Sequence, residues 1–340
     1  MEDTAAGERM TDRGGRLVVA PNWIGDAVMS LPVLRALARS CREEPLSVLA
    51  RPGPDAIYRA EGSAREVRTI TGLVGDALAT ARAEFAEAWI LPNSFRSAVV
   101  PYLAAVRERI GYATDGRSPL LTRPVPPPSR DRHQLRDYDP LLRSRGIEPD
   151  TGPPRLPIPP ESQALARDTI ARAGLSSGLE RLILLAPGAA FSWTKRWPAE
   201  RFGALAADLL ARELAIAIVI GPGEEELARA VSAVAQVPLP ILGADLDPVG
   251  LAALASLGRL VVANDSGAMH LAAAVGTPVV ALFGPTDPGR TGPVGSPSIV
   301  LDRYVFCSPC YLKECPYAHE CLRGIEVRQV VSAVERLLTL

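Results

Sequence analysis

The sequence predicts an α/β protein of two Rossmann-like domains whose parallel sheets face each other across a cleft. Three observations predict it. Short β-rich runs alternate with Ala/Leu/Arg helical patterns along the chain, a proline-dense stretch splits that alternation into two series, and several strands end in glycine-bearing loops that open a helix. At 340 residues and 47% hydrophobic content the chain can bury two cores of ordinary size.

Taken in order, the first series contains RLVVAP at 16 to 21, LSVLAR at 46 to 51 and EAWILPN at 87 to 93. Two stretches, RPVPPPSR at 123 to 130 and EPDTGPPRLPIPPE at 148 to 161, are too rich in proline to hold regular structure for long, and the second reads as a linker. ESQALARDTIARAG then reads as a helix stopped by Gly174. After it come LILLAPG, LAIAIVIGPG, LPILGAD, RLVVAND and TPVVALFGPT, a second strand–helix series. The final VRQVVSAVERLLTL places Val327, Val330, Val331, Val334, Leu337 and Leu338 on one helical face, which must dock on one of the domains. The expected division is a disordered tail at 1–15, a domain at 16–160, a domain at 161–325 and a C-terminal helix at 326–340.

A formal charge of −1 supplies no global pull toward nucleic acid or an anionic membrane. Locally, residues 96 to 145 carry ten arginines against five acids, a stretch that faces phosphates or forms a solvated surface. No apolar run is long enough to span a bilayer, and the polar N-terminus is unlike a signal peptide, so a cytoplasmic location is expected. Four of the five cysteines fall within 307 to 321, a pattern of reduced thiols or a metal site rather than of a secreted disulfide framework.

The chemistry is expected at the strand ends. In NDSGAMHL, Asp265, Ser266 and Gly267 occupy the turn where a helix begins, a ready site for a phosphate or diphosphate. Asp265 either caps that helix or accepts hydrogen bonds from sugar hydroxyls, and His270 is either a core histidine or a ligand contact. The loop PGAAFSWTKRWP offers Ser192, Thr194, Lys195 and Arg196 to phosphate oxygens, before a helix that Pro198 opens. Lys195 is one of only two lysines among 37 basic residues and supplies a compact charge for a leaving diphosphate. Glu224 binds ribose hydroxyls or merely complements a helix dipole. In the first series PNWIGDAV carries Asn22 and Asp26; Asp26 is a candidate general base, with helix capping as the alternative. The segment CSPCYLKECPYAHEC, with Cys307, Cys310, Cys315, Cys321 and His319, holds free thiols or a tetrahedral structural metal.

PNWIGDAVMSLPVLRAL, LPNSFRSA, PGAAFSWTKRWPAERF, NDSGAMHLAAAVGTPVVALFGPTDP and the Cys-rich tail, in this order from about residue 16 to 330, resemble the ADP-heptose:lipopolysaccharide heptosyltransferases of glycosyltransferase family 9, most closely the type II subgroup. The resemblance implies a GT-B architecture and an inverting transfer of L-glycero-D-manno-heptose to the inner-core heptose of a phosphorylated Kdo-lipid A acceptor. It implies no required cofactor and no catalytic metal. By that match Asp26 is the base and Lys195 a diphosphate contact, with Ser192, Thr194, Glu224, Asp265, Ser266, Gly267 and His270 around the donor. FSWT departs from the Thr-Thr of the type I subgroup. Asn22, Asn93 and Arg96 are the expected acceptor contacts, and the enzyme is expected to work peripherally at the cytoplasmic face of the inner membrane, without binding nucleic acid. Transfer to a different position by another member of the family, and a sugar-nucleotide-binding protein without catalysis, are the alternatives.

Overall fold

Residues 14–40 and 45–339 are described by the computed structural model, so the expected tail lies outside the described residues except for Gly14 and Gly15. The first six strands are β1 (Arg16–Val19), β2 (Leu46–Ala50), β3 (Glu66–Thr69), β4 (Glu87–Ile90), β5 (Glu108–Tyr112) and β6 (Arg123–Val125). They form one parallel sheet in the order β3-β2-β1-β4-β5-β6, with Val18 of β1 in register with Val48 and Trp89. The helices of this half are α1 (Ile24–Ser40), α2 (Pro54–Glu61), α3 (Leu73–Arg82), α4 (Phe95–Leu103) and α5 (Asp139–Arg143).

The second half begins with α6 (Pro160–Arg172), β7 (Leu182–Ala186), α7 (Ala199–Ala211), β8 (Ala215–Val219), α8 (Glu225–Ala235), β9 (Ile241–Leu242) and α9 (Pro248–Leu257). It continues with β10 (Leu260–Asn264), α10 (Gly267–Ala274), β11 (Val279–Phe283), α11 (Pro288–Thr291), β12 (Ser298–Asp302), α12 (Glu320–Arg323) and α13 (Val327–Leu338). Its parallel sheet runs β12-β11-β10-β7-β8-β9. Read from β9, this is the same order as the first sheet, so the strand order reverses between β1 and β4 and again between β7 and β10. Ligands of open α/β sheets bind at the C-terminal ends of strands beside such reversals.

The interior strands are continuous apolar runs because both faces are covered: every residue of LILLA in β7 and VVALF in β11 is buried. Strands β3, β5 and β12 escape a sequence reading because they carry charged residues, as in EVRT and ERIGY, and β3 and β12 lie at sheet edges. The stretch RPVPPPSR does yield a strand, β6, short and at an edge, where Pro124 removes no ladder bond that a central strand would need.

α13 docks on the second sheet and on α7. Val330, Val331, Val334 and Leu337 are buried there, Ala333 joins them, and Val327 and Leu338 pack at the margin. A capping box of Glu326 and Gln329 starts the helix.

The halves are not loosely tethered. Leu271, Ala274 and Ala252 of the second half belong to the same buried cluster as Val28, Leu31 and Tyr138 of the first. The stretch 148–161, expected to be a linker, is strapped across α1: Arg35 and Arg39 both donate to Asp150 Oδ2, at 2.9 and 3.0 Å, and Arg35 also reaches the Pro153 carbonyl at 2.8 Å.

Candidate active site

Asp26 is the third residue of α1, just beyond the end of β1. Its carboxylate does not cap the helix; Oδ1 accepts a hydrogen bond from Gln134 Nε2 at 2.8 Å. Burial raises its pKa above the usual carboxylate range, while the Gln134 hydrogen bond and the positive charge of Lys195 oppose the rise and Asp265 adds to it. The group therefore lies on the basic side of an ordinary aspartate.

Across the cleft, Asn264 at the end of β10 is fully buried and ties two loops together. Its Oδ1 accepts from Trp197 N–H at 2.9 Å and its Nδ2 donates to the Pro187 carbonyl at 2.7 Å. That fixes the loop after β7, which carries Lys195, against the turn after β10, which carries Asp265. Lys195 Nζ then lies 2.6 Å from Asp265 Oδ2, and the Thr286 hydroxyl donates to the same oxygen at 2.7 Å. Asp265 is thus paired rather than acting as a cap; the N-cap of α10 is Ser266, whose buried Oγ has no partner among the described residues. Pro198 takes the N-cap position of α7, one place before the helix that it was expected to open.

These groups line one cavity of about 370 Å³ between the halves, with Asp26, Gln134 and Trp23 on one wall and Lys195, Asp265, Ser266, Gly267 and His270 on the other. The N-termini of α1 and α10 approach across its floor. A methyl group on Gly25 would lie 2.7 Å from His270 Cδ2, and one on Gly267 would lie 2.9 Å from Ile24 Cβ. His270 is buried, and burial, countered by Asp265, lowers its pKa to about 4, so the imidazole is neutral at neutral pH. At the mouth, Trp23 meets Phe191 edge-on with centroids 6.2 Å apart, and both Lys195 and Lys313 lie over the Phe191 ring. A bidentate pair of Arg290 with Asp137, 2.7 and 3.1 Å, and a contact of His133 Nε2 with the Gly292 carbonyl at 3.0 Å join the halves beside it.

Ser192 and Thr194 do not line this cavity. The Ser192 hydroxyl donates to the Lys313 carbonyl at 2.7 Å and the Thr194 hydroxyl to the Leu312 carbonyl at 2.8 Å, so both pin the Lys195 turn to the Cys-rich segment. His319 strengthens the clamp through Nε2, 2.6 Å from the Thr194 carbonyl. Cys307, Cys310, Cys315 and Cys321 surround a void of about 20 Å³ beneath that turn. All four are free thiols, and burial raises the pKa of Cys321. Among the described residues no group of three or more His, Cys, Asp or Glu side chains is arranged to hold a metal ion.

Glu224 does not line this cavity; it is the N-cap of α8, its Oε2 accepting from Gly221 N–H at 3.1 Å, with its carboxylate where a side chain on Gly188 would stand. Asn22 and Arg96 line a separate cavity in the first half, while Asn93 is exposed and seen only through its carbonyl, which accepts from the Thr114 hydroxyl at 2.9 Å. The arginine-rich stretch does not act as one phosphate-facing block. Arg109, Arg117, Arg123, Arg136 and Arg145 are consumed in bonds to carbonyls or carboxylates. Arg117 is fully buried and holds the Pro92 and Ser94 carbonyls, fixing the loop that presents Arg96. Gln134 and Arg117 lie in no motif that marks them, and only the fold brings them to these positions; Trp23, Phe191 and Thr286 stand inside the motifs quoted above, where residue type alone does not assign them a role.

The sequence profile of glycosyltransferase family 9 (heptosyltransferase) matches residues 79–320. Lipopolysaccharide heptosyltransferase 2 of Salmonella typhimurium is 30% identical over 84% of this chain and 87% of its own. Lipooligosaccharide heptosyltransferase 2 of Haemophilus ducreyi is 28% identical with the same coverage. Among solved structures, that of the Escherichia coli ADP-heptose lipopolysaccharide heptosyltransferase II superposes with a TM-score of 0.81 at 25% identity, covering 96% of this chain and 98% of that one.

Proposed function

Since the chain belongs to glycosyltransferase family 9, the heptosyltransferases, we propose that it is a heptosyltransferase of type II, moving heptose from ADP-heptose onto a lipopolysaccharide inner core. The observation that carries the reading is the single cavity in which a half-buried carboxylate of one half faces a lysine, an aspartate and a helix N-terminus of the other.

The donor lies on the second half, with its diphosphate at the N-terminus of α10, where Ser266 Oγ and the first backbone N–H groups are donors without helical partners. Lys195 faces the same phosphates, and its pairing with Asp265, together with the Thr286 hydroxyl, offsets the repulsion that an isolated carboxylate would exert on a diphosphate. Asp265 retains an oxygen for sugar hydroxyls. Asp26 accepts the proton of the acceptor hydroxyl as that oxygen attacks the anomeric carbon. The bond from that carbon to the diphosphate breaks, and the charge left on ADP is stabilised by Lys195 and by the helix dipole. Attack on the face opposite the leaving group inverts the anomeric configuration. His270, kept neutral by burial, packs behind the reacting region without adding charge.

The acceptor is Kdo-lipid A bearing its first heptose, held by the first half through Asn22, Asn93 and Arg96, with the protein working peripherally at the cytoplasmic face of the inner membrane. Among the described residues no helix is long and apolar enough to cross a membrane. The test is single-turnover transfer from ADP-heptose to Kdo2-lipid A with and without its first heptose, following ADP release and product mass. Transfer only to the heptosylated acceptor is expected; transfer to the unheptosylated one would move the assignment to type I, and ADP-heptose binding without transfer to either would remove the catalytic reading.

A further inference from the structure

Six of the large apolar side chains left exposed lie on two adjacent helices of the first half: Leu73, Val74 and Leu78 on α3, and Phe95, Tyr102 and Leu103 on α4. Scattered apolar residues are ordinary on a protein surface, but two neighbouring helices facing outward with such side chains mark an interaction face. Val74 is 70% exposed in the first turn of its helix, where nothing in the fold covers it.

The exposed charges carried by the two helices themselves are basic, while the exposed acids Glu84 and Asp115 lie just beyond their ends. The only acid of α3, Asp76, is buried and already accepts from the Thr71 N–H and hydroxyl and from the Gly72 N–H. The exposed charges on the two helices are Arg82 and Arg96. Asp115 lies at the start of α4, where it accepts from Phe95 N–H at 2.6 Å. Beside these helices, at the C-terminal end of the sheet, a cavity of about 250 Å³ is lined by Asn22, Arg51, Leu73, Asp76 and Arg96. Arg51 and Arg96 are exposed, and among the described residues neither guanidinium makes a hydrogen bond or ion pair. Asn22 belongs to the short loop that leads into Asp26, so the cavity adjoins the proposed base.

An apolar ridge bordering two guanidinium groups that make no bond among the described residues matches the chemistry of an anionic lipid surface: apolar side chains enter the acyl boundary and arginines meet phosphates or carboxylates. We propose that the outer face of α3 and α4 seats the protein on an anionic bilayer and that Arg51 and Arg96 take anionic groups of the bilayer-borne acceptor in the adjoining cavity. This rests on the reading above that the acceptor is a lipid, and it names the surface and the cations that present that lipid to Asp26.

The test is flotation of the full chain with vesicles of phosphatidylethanolamine and phosphatidylglycerol, against vesicles of phosphatidylcholine alone. The protein is expected to float with the anionic vesicles, less so as salt is raised. Val74→Asp with Leu78→Asp is expected to lower the bound fraction tenfold or more and to raise KM for acceptor embedded in vesicles. The same variant should leave kcat and KM unchanged for a deacylated, water-soluble acceptor, which also shows that it folds. Arg51→Gln and Arg96→Gln are expected to raise KM for both acceptor forms, because they act on the headgroup rather than on the bilayer. Unchanged flotation of the Val74/Leu78 variant overturns the proposal, as does a shift from dimer to monomer in sedimentation with flotation intact, which would make the face a protein interface. Flotation uses lipid alone, so it is read even if the acceptor assignment fails.

Discussion

Asp26 is an acid placed where its ionised form is costly. Burial raises its pKa, and only Gln134 and Lys195 restrain it, so the ionised carboxylate weakens the fold at neutral pH while gaining basicity. Asp26→Asn is accordingly expected to lower kcat by roughly 10²- to 10⁴-fold with a melting temperature equal to or above that of the parent, a combination that separates lost chemistry from lost folding. The profile of kcat/KM should fall on the acid side at a pH above the usual aspartate value, since protonation removes the base. Gln134→Leu should push that limb further up, because the donor it removes stabilises the charged form. Asp26 was legible in the sequence as a carboxylate after the first strand. Gln134, 108 residues away, was not, because no local pattern distinguishes a glutamine that the fold returns to the site from one on the surface.

The elements that build the site are two helix N-termini brought into contact, and glycine permits it. A glycine in the first turn of a helix reads in sequence as room for an anion at the backbone, which fits Gly267. The structure adds a steric need: Gly25 and Gly267 each face a side chain of the opposite half at less than van der Waals distance for a methyl group. Gly25→Ala is expected to destabilise the protein by about 1–3 kcal/mol and to lower kcat, as α1 and its Asp26 are displaced from α10. Urea unfolding beside steady-state kinetics checks both. The turn carrying Lys195 shows the opposite limit. Its hydroxyls were legible as phosphate donors by residue type, yet Ser192 and Thr194 bind carbonyls of the Cys-rich segment, more than a hundred residues on, so type alone could not reveal which acceptor they serve. The periodicity of α13 was legible in full, whereas the surface it covers was decided by the sheet that it meets.

Across the whole molecule, two strand–helix series divided by prolines are visible in the sequence, but the core that they share is not, because an apolar helix face carries no mark of its partner. Leu271 and Ala274 of the second half share a buried cluster with Val28 and Leu31 of the first. His270 lies in the same interface. Its folded-state pKa of about 4 lies below the ordinary 6.5, so as the pH falls from about 6.5 the unfolded chain takes up a proton that the folded one refuses. The resulting stability is present above that window and is lost across it, on the order of 3 kcal/mol by pH 4. Asp26 acts in the reverse sense, since its raised pKa lets the folded state bind a proton first, so the histidine is isolated by comparison rather than by the absolute slope. Urea midpoints from pH 7 to pH 4.5 should fall more steeply for the parent than for His270→Gln. Equal slopes would mean that the imidazole titrates freely and that the halves part before the protein unfolds. The steeper parent slope, with one cooperative transition at each pH, is the outcome that an interface closed around a neutral histidine requires.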